Sequence, residues 1–273
     1  MAQTDSSLDT HFEALLTLGG LLQQSGYTFT CVTPATHERV LARGKGQASS
    51  LRDVFGWNLP FAPALRPRAM LECLRRAAAL ETSGELLRAG VRFSTLGDRL
   101  FVHSGFPTAA EDAVFFGPDT YRFCAFVRRA VHAGRRIADV GCGTGAGAIA
   151  LAELKPERLV LADINGRALQ LARVNLALAN VSGEVVHSDL LKGVAGELDV
   201  IIANPPYMQD ACGRTYRHGG GGYGEALSAR IVAECDAPGS SVSLVARRHD
   251  LNTNMLFTWR RQLRERQRGA GEI

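Results

Sequence analysis

The clearest pattern of apolar and polar positions lies in the middle of the chain. From residue 126 to about 236, short apolar runs alternate with longer stretches of helical spacing. Arg136–Val140, Arg158–Ala162, Glu184–His187 and Leu198–Ala203 have strand length and are bounded by Gly, Pro, Asn or Asp. A Gly-rich turn after the first run leads into a helix ending near Leu154, and Asn165-Gly166 opens a second helix through Leu178. Repeated strand–helix–strand units predict an α/β fold, with a Rossmann-like parallel sheet, right-handed crossovers and helices on both faces. In such sheets ligands gather at the carboxyl ends of the strands.

Residues 1–125 lack this alternation and are expected to form a mainly helical accessory or substrate-recognition domain. Phe12, Leu15, Leu16 and Gly19 recur at helical spacing, and residues 68–88 suggest two further helices. Val91–Ser94 and Arg99–His103 alternate as strands around the turn Leu96-Gly97-Asp98. The stretch from Phe115 to Phe123 (FFGPDTYRF) leads into the core.

Composition narrows the setting. The 273 residues are 46% hydrophobic, ordinary for a globular chain, and hold no apolar run of about 18 residues or more. The first residues lack a basic segment followed by an apolar one, and none of the six cysteines is spaced as CxxC, which predicts reduced thiols, a cytoplasmic location and no bound metal. The net charge of +4 belongs to residues 239–273, with seven Arg against three acids; the rest is balanced and carries no broad footprint for nucleic acid.

Candidate chemistry begins at the first strand's end, in Asp139-Val140-Gly141-Cys142-Gly143-Thr144-Gly145-Ala146-Gly147. Alternate glycines let backbone turn sharply and approach a ligand where a Cβ would clash, and the helix that follows points its N–H groups at it. Asp163 ends the second strand, placed to accept ribose hydroxyls, and Asp189 follows the third, placed to accept from an adenine amino group. The glycines at 141, 143, 145 and 147 depart from the dinucleotide pattern GxGxxG, and Asp139 can hold the loop and receive an amino group; both favour S-adenosylmethionine (SAM) over NAD. Strand four runs into Asn204-Pro205-Pro206-Tyr207. A conjugated amine must pyramidalise to attack a methyl group. The Asn204 oxygen and the Pro205 carbonyl can draw its hydrogens out of plane, two prolines stiffen the loop, and Tyr207 can stack on a planar target.

Residues 134–208 resemble the core of class I SAM-dependent N-methyltransferases of the NPPY type, a group that modifies glutamine amides of release factors and ribosomal proteins or exocyclic amines of RNA and DNA bases. The resemblance implies a SAM cofactor held by Asp139, Gly141, Cys142, Gly143, Thr144, Gly145, Asp163, Ile164, Asp189, Leu190 and Asn204, with Asn204, Pro205, Pro206 and Tyr207 catalytic and a protein glutamine or nucleobase as macromolecular substrate. Such a core continues with strand five, a helix and a final hairpin, which the remaining sequence does not supply. Ser241–Ala246 could serve as strand five; equally, 241–263 reads as helix, polar turn, helix, with Val242, Val245 and Ala246 facing Leu256, Trp259 and Leu263. That run resembles the helix-turn-helix start of an insertion-sequence transposase protein, which implies that Arg260, Arg261 and Arg264 approach DNA. The expected organisation is an accessory domain (1–125), an incomplete methyltransferase core (126–236) and a helical tail of mobile-element origin (237–273). The alternative is a truncated fusion without catalysis.

Overall fold

The computed structural model describes residues 2–44, 46–65, 67–204, 223–237, 239–248, 256–257, 259–261 and 263–264, with backbone alone at 2–8, 65 and 223–228. The chain divides into two compact units, Met1–Pro205 and Pro206–Ile273. The larger unit opens with helices α1 (Ala2–Gln24), α2 (Pro34–Arg43), α3 (Leu51–Phe55) and α4 (Arg68–Arg76). Two antiparallel hairpins follow, β1 (Leu80–Ser83) with β2 (Leu86–Ala89), and β3 (Val91–Leu96) with β4 (Arg99–Ser104). Next come α5 (Pro118–Ala130), β5 (Arg136–Val140), α6 (Ala146–Leu151), β6 (Arg158–Asp163), α7 (Gly166–Leu178), β7 (Glu184–His187) and β8 (Val200–Ala203).

Strands β5 to β8 form the expected parallel sheet, in the order β7-β6-β5-β8. The inner strands β5 and β6 are buried along most of their length, as a sheet covered on both faces requires. Register sets Asp139 opposite Leu161 and Ile202, so these three side chains share one face. A Cβ on Gly147 of α6 would stand 2.8 Å from Asp139 Oδ2 and 3.2 Å from Ile202 Cδ1, which identifies that face as the one α6 covers.

One apolar core runs through the larger unit, from Ala14 on α1 to Ile202 on β8. Gly19 of α1 lies against Leu178 of α7 so closely that a Cβ would come within 2.6 Å of it. The accessory region is thus built onto the sheet's helices.

The expected second helix within residues 68–88 is instead the β1–β2 hairpin. Ala78 turns to φ 47°, and the Ala79 N–H returns to the Leu74 carbonyl at 2.9 Å, which ends α4. Gly84, at φ 63°, then reverses the chain between paired strands.

The smaller unit holds α8 (Tyr223–Cys235), α9 (Val242–Arg248) and further helical positions between 256 and 264. The strand considered for Ser241–Ala246 is a helix. Ser241 caps it, its carbonyl accepting the Val245 N–H at 2.9 Å and its hydroxyl accepting the Leu244 N–H at 3.2 Å. Helical spacing brings Val242, Val245 and Ala246 together against Ile231, Val232, Cys235, Leu256 and Trp259; a strand would send Val242 and Val245 to opposite faces. Leu263 packs against the same cluster, as the helix–turn–helix pattern predicts. The five cysteines among the described residues are free and buried, and no helix among those residues is long and apolar enough to cross a membrane.

Candidate active site

The site is built where β5, β6, β7 and β8 end. After Val140 the chain turns upward, and the amides of Gly141 and Cys142 both donate to the Ala162 carbonyl of β6, at 2.9 and 3.1 Å. The Gly145 amide closes the loop on Cys142 O at 2.7 Å. Gly141 and Gly143 adopt φ of 68° and 53°, and a Cβ on either would meet nothing within 4 Å. Their backbone borders open space, which is what a cradle for a ligand requires. Gly145, at φ 76°, serves packing instead: a Cβ there would stand 2.7 Å from Leu161 Cδ2.

Two carboxylates fix this region, Asp163 bonding the loop and Asp139 bonding α6 behind it. Asp139 is buried beneath it, and its Oδ2 accepts the Ala148 N–H at 2.9 Å. Burial pushes its pKa up to about 7; the Ala148 N–H pulls it down and the charge of Asp163 raises it further. Asp163, at the tip of β6, accepts the Gly143 N–H on Oδ2 at 2.8 Å and the Asn165 N–H on Oδ1 at 2.9 Å. Asn165 in turn caps α7 through the Arg167 N–H at 3.0 Å.

Beyond Asp163, the tips of β6 and β7 are joined by the Ser188 N–H donating to Asp163 O and by a His187 Nε2 contact with Ile164 O, both 3.0 Å. Two large apolar side chains stand exposed there, Ile164 (57%) and Leu190 (67%). Leu190 takes φ 54° in a turn pinned by the Ser188 hydroxyl, which donates to Leu190 O and accepts the Gly193 N–H, each at 2.8 Å. Asp189 beside it is exposed and pairs with Lys192 at 2.5 Å. On the other flank of β5, Val140 pairs with Ala203, so Asn204 leaves β8 level with the start of the Gly loop, and it is exposed. Asp139, Gly141, Cys142, Gly143, Thr144, Gly145, Asp163, Ile164, Asp189, Leu190 and Asn204 therefore all lie at the carboxyl ends of this sheet. Pro205, Pro206 and Tyr207 lie outside the described residues.

One supporting residue goes beyond the sequence reading. Asn175, fully buried in α7, accepts the Val102 N–H of β4 at 2.7 Å. Its Nδ2 donates to Val102 O at 3.1 Å and to Thr144 O at 2.9 Å. A single amide thus ties the accessory hairpin to the Gly loop. Its sequence signal is an amide on the apolar side of α7, among Leu171, Ala172, Val174 and Leu176.

Known proteins resemble two stretches of the chain. Residues 125–216 match the Methyltransferase small domain. Residues 222–272 match a Transposase family, so that match begins earlier than the boundary near residue 236 and includes α8. The chain is 39% identical over 77 residues to a ribosomal RNA small subunit methyltransferase C of Serratia proteamaculans (strain 568), and 42% identical over 77 residues to that of Citrobacter koseri. Each match covers 28% of this chain and 22% of the relative, so the chain spans about a fifth of the length of these curated relatives. Among solved structures, a T. thermophilus 16S rRNA N2 G1207 methyltransferase in complex with AdoMet and guanosine aligns at 16% identity and a TM-score of 0.38, over 64% of this chain and 52% of that one. A ribosomal protein L11 methylase of Lactobacillus delbrueckii subsp. bulgaricus aligns at 29% identity and a TM-score of 0.30, over 33% and 48%.

Proposed function

We propose that the larger unit binds SAM at the ends of β5 to β8 and that the chain transfers a methyl group to a planar nitrogen, the exocyclic amine of an RNA base. The observation that carries this reading is the Gly143–Asp163 hydrogen bond beside the open backbone of Gly141 and Gly143. An acid already fixed by two amides presents its remaining lone pairs to a ribose diol without reorganising. Ile164 and Leu190 offer apolar surface to a flat heteroaromatic ring, and Asp189 offers an acceptor to its amino group. Asp139, whose carboxyl is driven toward neutrality by burial, gains a favourable partner from an ammonium group.

Bound SAM would supply an electrophilic methyl group on a sulfonium. The chain's own part is to position the acceptor. Asn204 accepts hydrogen from the target amine together with the Pro205 carbonyl, and Tyr207 stacks on the base. A nucleobase is preferred to a glutamine amide because the curated relatives matched in sequence are named for ribosomal RNA. We assign residues 1–125 to substrate recognition, 126 to about 216 to the methyltransferase core, and the segment from about 222 onward to a mobile-element remnant. We assign the protein to the cytoplasm, where an RNA substrate and reduced thiols such as those among the described residues are at home.

A second reading, an inactive fusion, is favoured by the separate core of the smaller unit and its transposase match. In that reading the tail contacts DNA through Arg261 and Arg264, which are exposed; Arg260 is instead engaged by Asp236. Calorimetry with SAM on the full chain and on Asp163→Ala separates the two. Micromolar binding that the substitution weakens at least tenfold supports the enzyme. Absence of binding by folded wild-type protein leaves the fusion reading standing.

A further inference from the structure

Away from the cofactor site, positive charge collects in one stretch of the larger unit. Residues 34–76, which carry α2, α3 and α4, hold eight Arg and Lys against three acids, while residues 1–33 hold three acids and no Arg or Lys. The overall balance of the chain outside its tail thus hides a local excess. Ion pairing follows the same division. From Arg99 to Lys192 most basic side chains have a carboxylate partner, among them Arg128 with Glu153, Arg136 with Asp199 and Arg158 with Glu184. Within 34–76, Arg39, Arg43, Arg52, Arg68 and Arg76 are exposed and form no ion pair among the described residues, and Arg75 reaches Glu72 only at 3.8 Å. Of the acids there, Asp53 is taken up in capping α3, where it accepts the Ser49 and Ser50 N–H groups at 2.9 Å each.

Helical spacing turns these arginines outward in groups. On α4 the buried residues are Met70, Leu71, Cys73 and Leu74, so Arg68, Arg75 and Arg76 share the opposite face. On α2 the buried residue is His37, and Arg39 and Arg43 stand about one turn apart on the far side. Both helices abut the start of the loop that leads to the cofactor site. The Ala79 carbonyl just beyond α4 accepts the Gly90 N–H at 2.8 Å, and the Gly90 carbonyl accepts the Gly105 N–H at 3.1 Å. Phe106, the next residue, stacks on His37 of α2 with ring centres 4.1 Å apart. Six positions on, the Asp112 carbonyl accepts a hydrogen bond at 2.9 Å from Asn165 Nδ2, two residues after Asp163. Six residues reach at most about 20 Å, a distance that about six nucleotides cover at 3.4 Å each.

We infer that the outer faces of α2 and α4 bind the phosphate backbone of the RNA whose base enters the methyl-transfer site. This rests on the reading of the target as an RNA base. The surface suits a polyanion better than a protein. Among the described residues of α2 and α4, Val40 is the one large apolar side chain that stands exposed, at 37%, whereas protein interfaces are centred on apolar and aromatic anchors. A phosphate backbone needs only positive charge along its path and gains from releasing its counter-ions. The guanidinium fork meets two phosphate oxygens at once. Such contacts position the strand and leave the choice of base to the site itself.

The test uses the full chain and a short fluorescent single-stranded RNA, without SAM, over a range of salt concentrations. Arg39→Gln, Arg43→Gln, Arg68→Gln and Arg76→Gln together are expected to flatten the plot of log affinity against log salt by about 0.7 per phosphate contact, about two to three in all. An unchanged slope in the folded fourfold variant overturns the proposal, as does wild-type affinity that ignores salt. A slope lost instead in Arg261→Gln with Arg264→Gln overturns it by moving the contact to the smaller unit. Polyglutamate that displaces the RNA as well as unlabelled RNA does would overturn the nucleic-acid assignment in favour of an acidic protein. Should the fourfold variant not fold, the pairs on α2 and on α4 are replaced separately, each expected to remove about 1.4 from the slope. The two readings fail separately: a reduced slope in a protein that calorimetry shows not to bind SAM overturns methyl transfer alone, and SAM binding with an unchanged slope overturns this surface alone.

Discussion

The two units bury apolar surface by different routes. The larger gathers side chains from Ala14 to Ile202 into one core, so a helix near the N-terminus, a hairpin and a parallel sheet depend on each other. The smaller closes a core that, among the described residues, has eight buried side chains, from Ile231 to Trp259, around short helices. The hydrogen bonds that set the Gly loop come from Ala162, Asp163 and Asn175, all within the larger unit. The loop between β5 and α6 is therefore held by residues of the larger unit.

The strongest way to break this comparison is Asn175→Ala. It strips partners from the Val102 amide and carbonyl and from Thr144 O, and at ~1–3 kcal/mol for a buried unsatisfied group the larger unit should lose about 4 kcal/mol in urea denaturation. A loss below about 1 kcal/mol would sink the view that this amide joins hairpin and loop. Next in size, Trp259→Ala should cost the smaller unit about 3 kcal/mol. Hydrogen exchange should quicken in α8 and α9 while β5 and β6 keep their protection; loss of protection in those strands would show a single cooperative block.

A smaller effect concerns pH. Asp139 has a folded pKa of about 7, above its ordinary 3.8, so its contribution to stability is whole below pH 4 and lost as pH rises through 7. Relative to Asp139→Asn, wild-type stability should fall between pH 4 and 7, by at most about 1.4 kcal/mol per pH unit, and level off above. A flat difference across that range would contradict the burial argument. The smallest change is Lys192→Ala, which frees Asp189 from its ion pair. Thermal stability should not move measurably, and SAM affinity should rise by less than about threefold; weaker binding would assign Lys192 a direct role.

Much of the sheet was legible because its strands are short apolar runs with clear boundaries: Arg136–Val140 and Glu184–His187 form as expected. Segments with two plausible periodicities were harder. Leu80–Ala89 carries apolar residues at helical intervals, yet Gly84 and the left-handed Ala78 fold it into a hairpin. Ser241–Ala246 has the β-branched content of a strand, but the apolar stripe of α8 gives its helical face something to cover. The loop glycines and Asp163 lie at the ends of β5 and β6, where order and spacing put them. Asn175 was not legible in this way, because its importance lies in groups distant in sequence, Val102 and Thr144.

The Asn175 clamp also sets a schedule for synthesis. Val102 leaves the ribosome before the residue that will satisfy it, and 73 positions separate the two. At ~5–20 residues per second the β4 edge waits roughly 4–15 seconds for its amide partner. During that interval the nascent hairpin presents an unsatisfied backbone to its surroundings, so the interval before α7 emerges is when this chain is most open to chaperones and to wrong pairing.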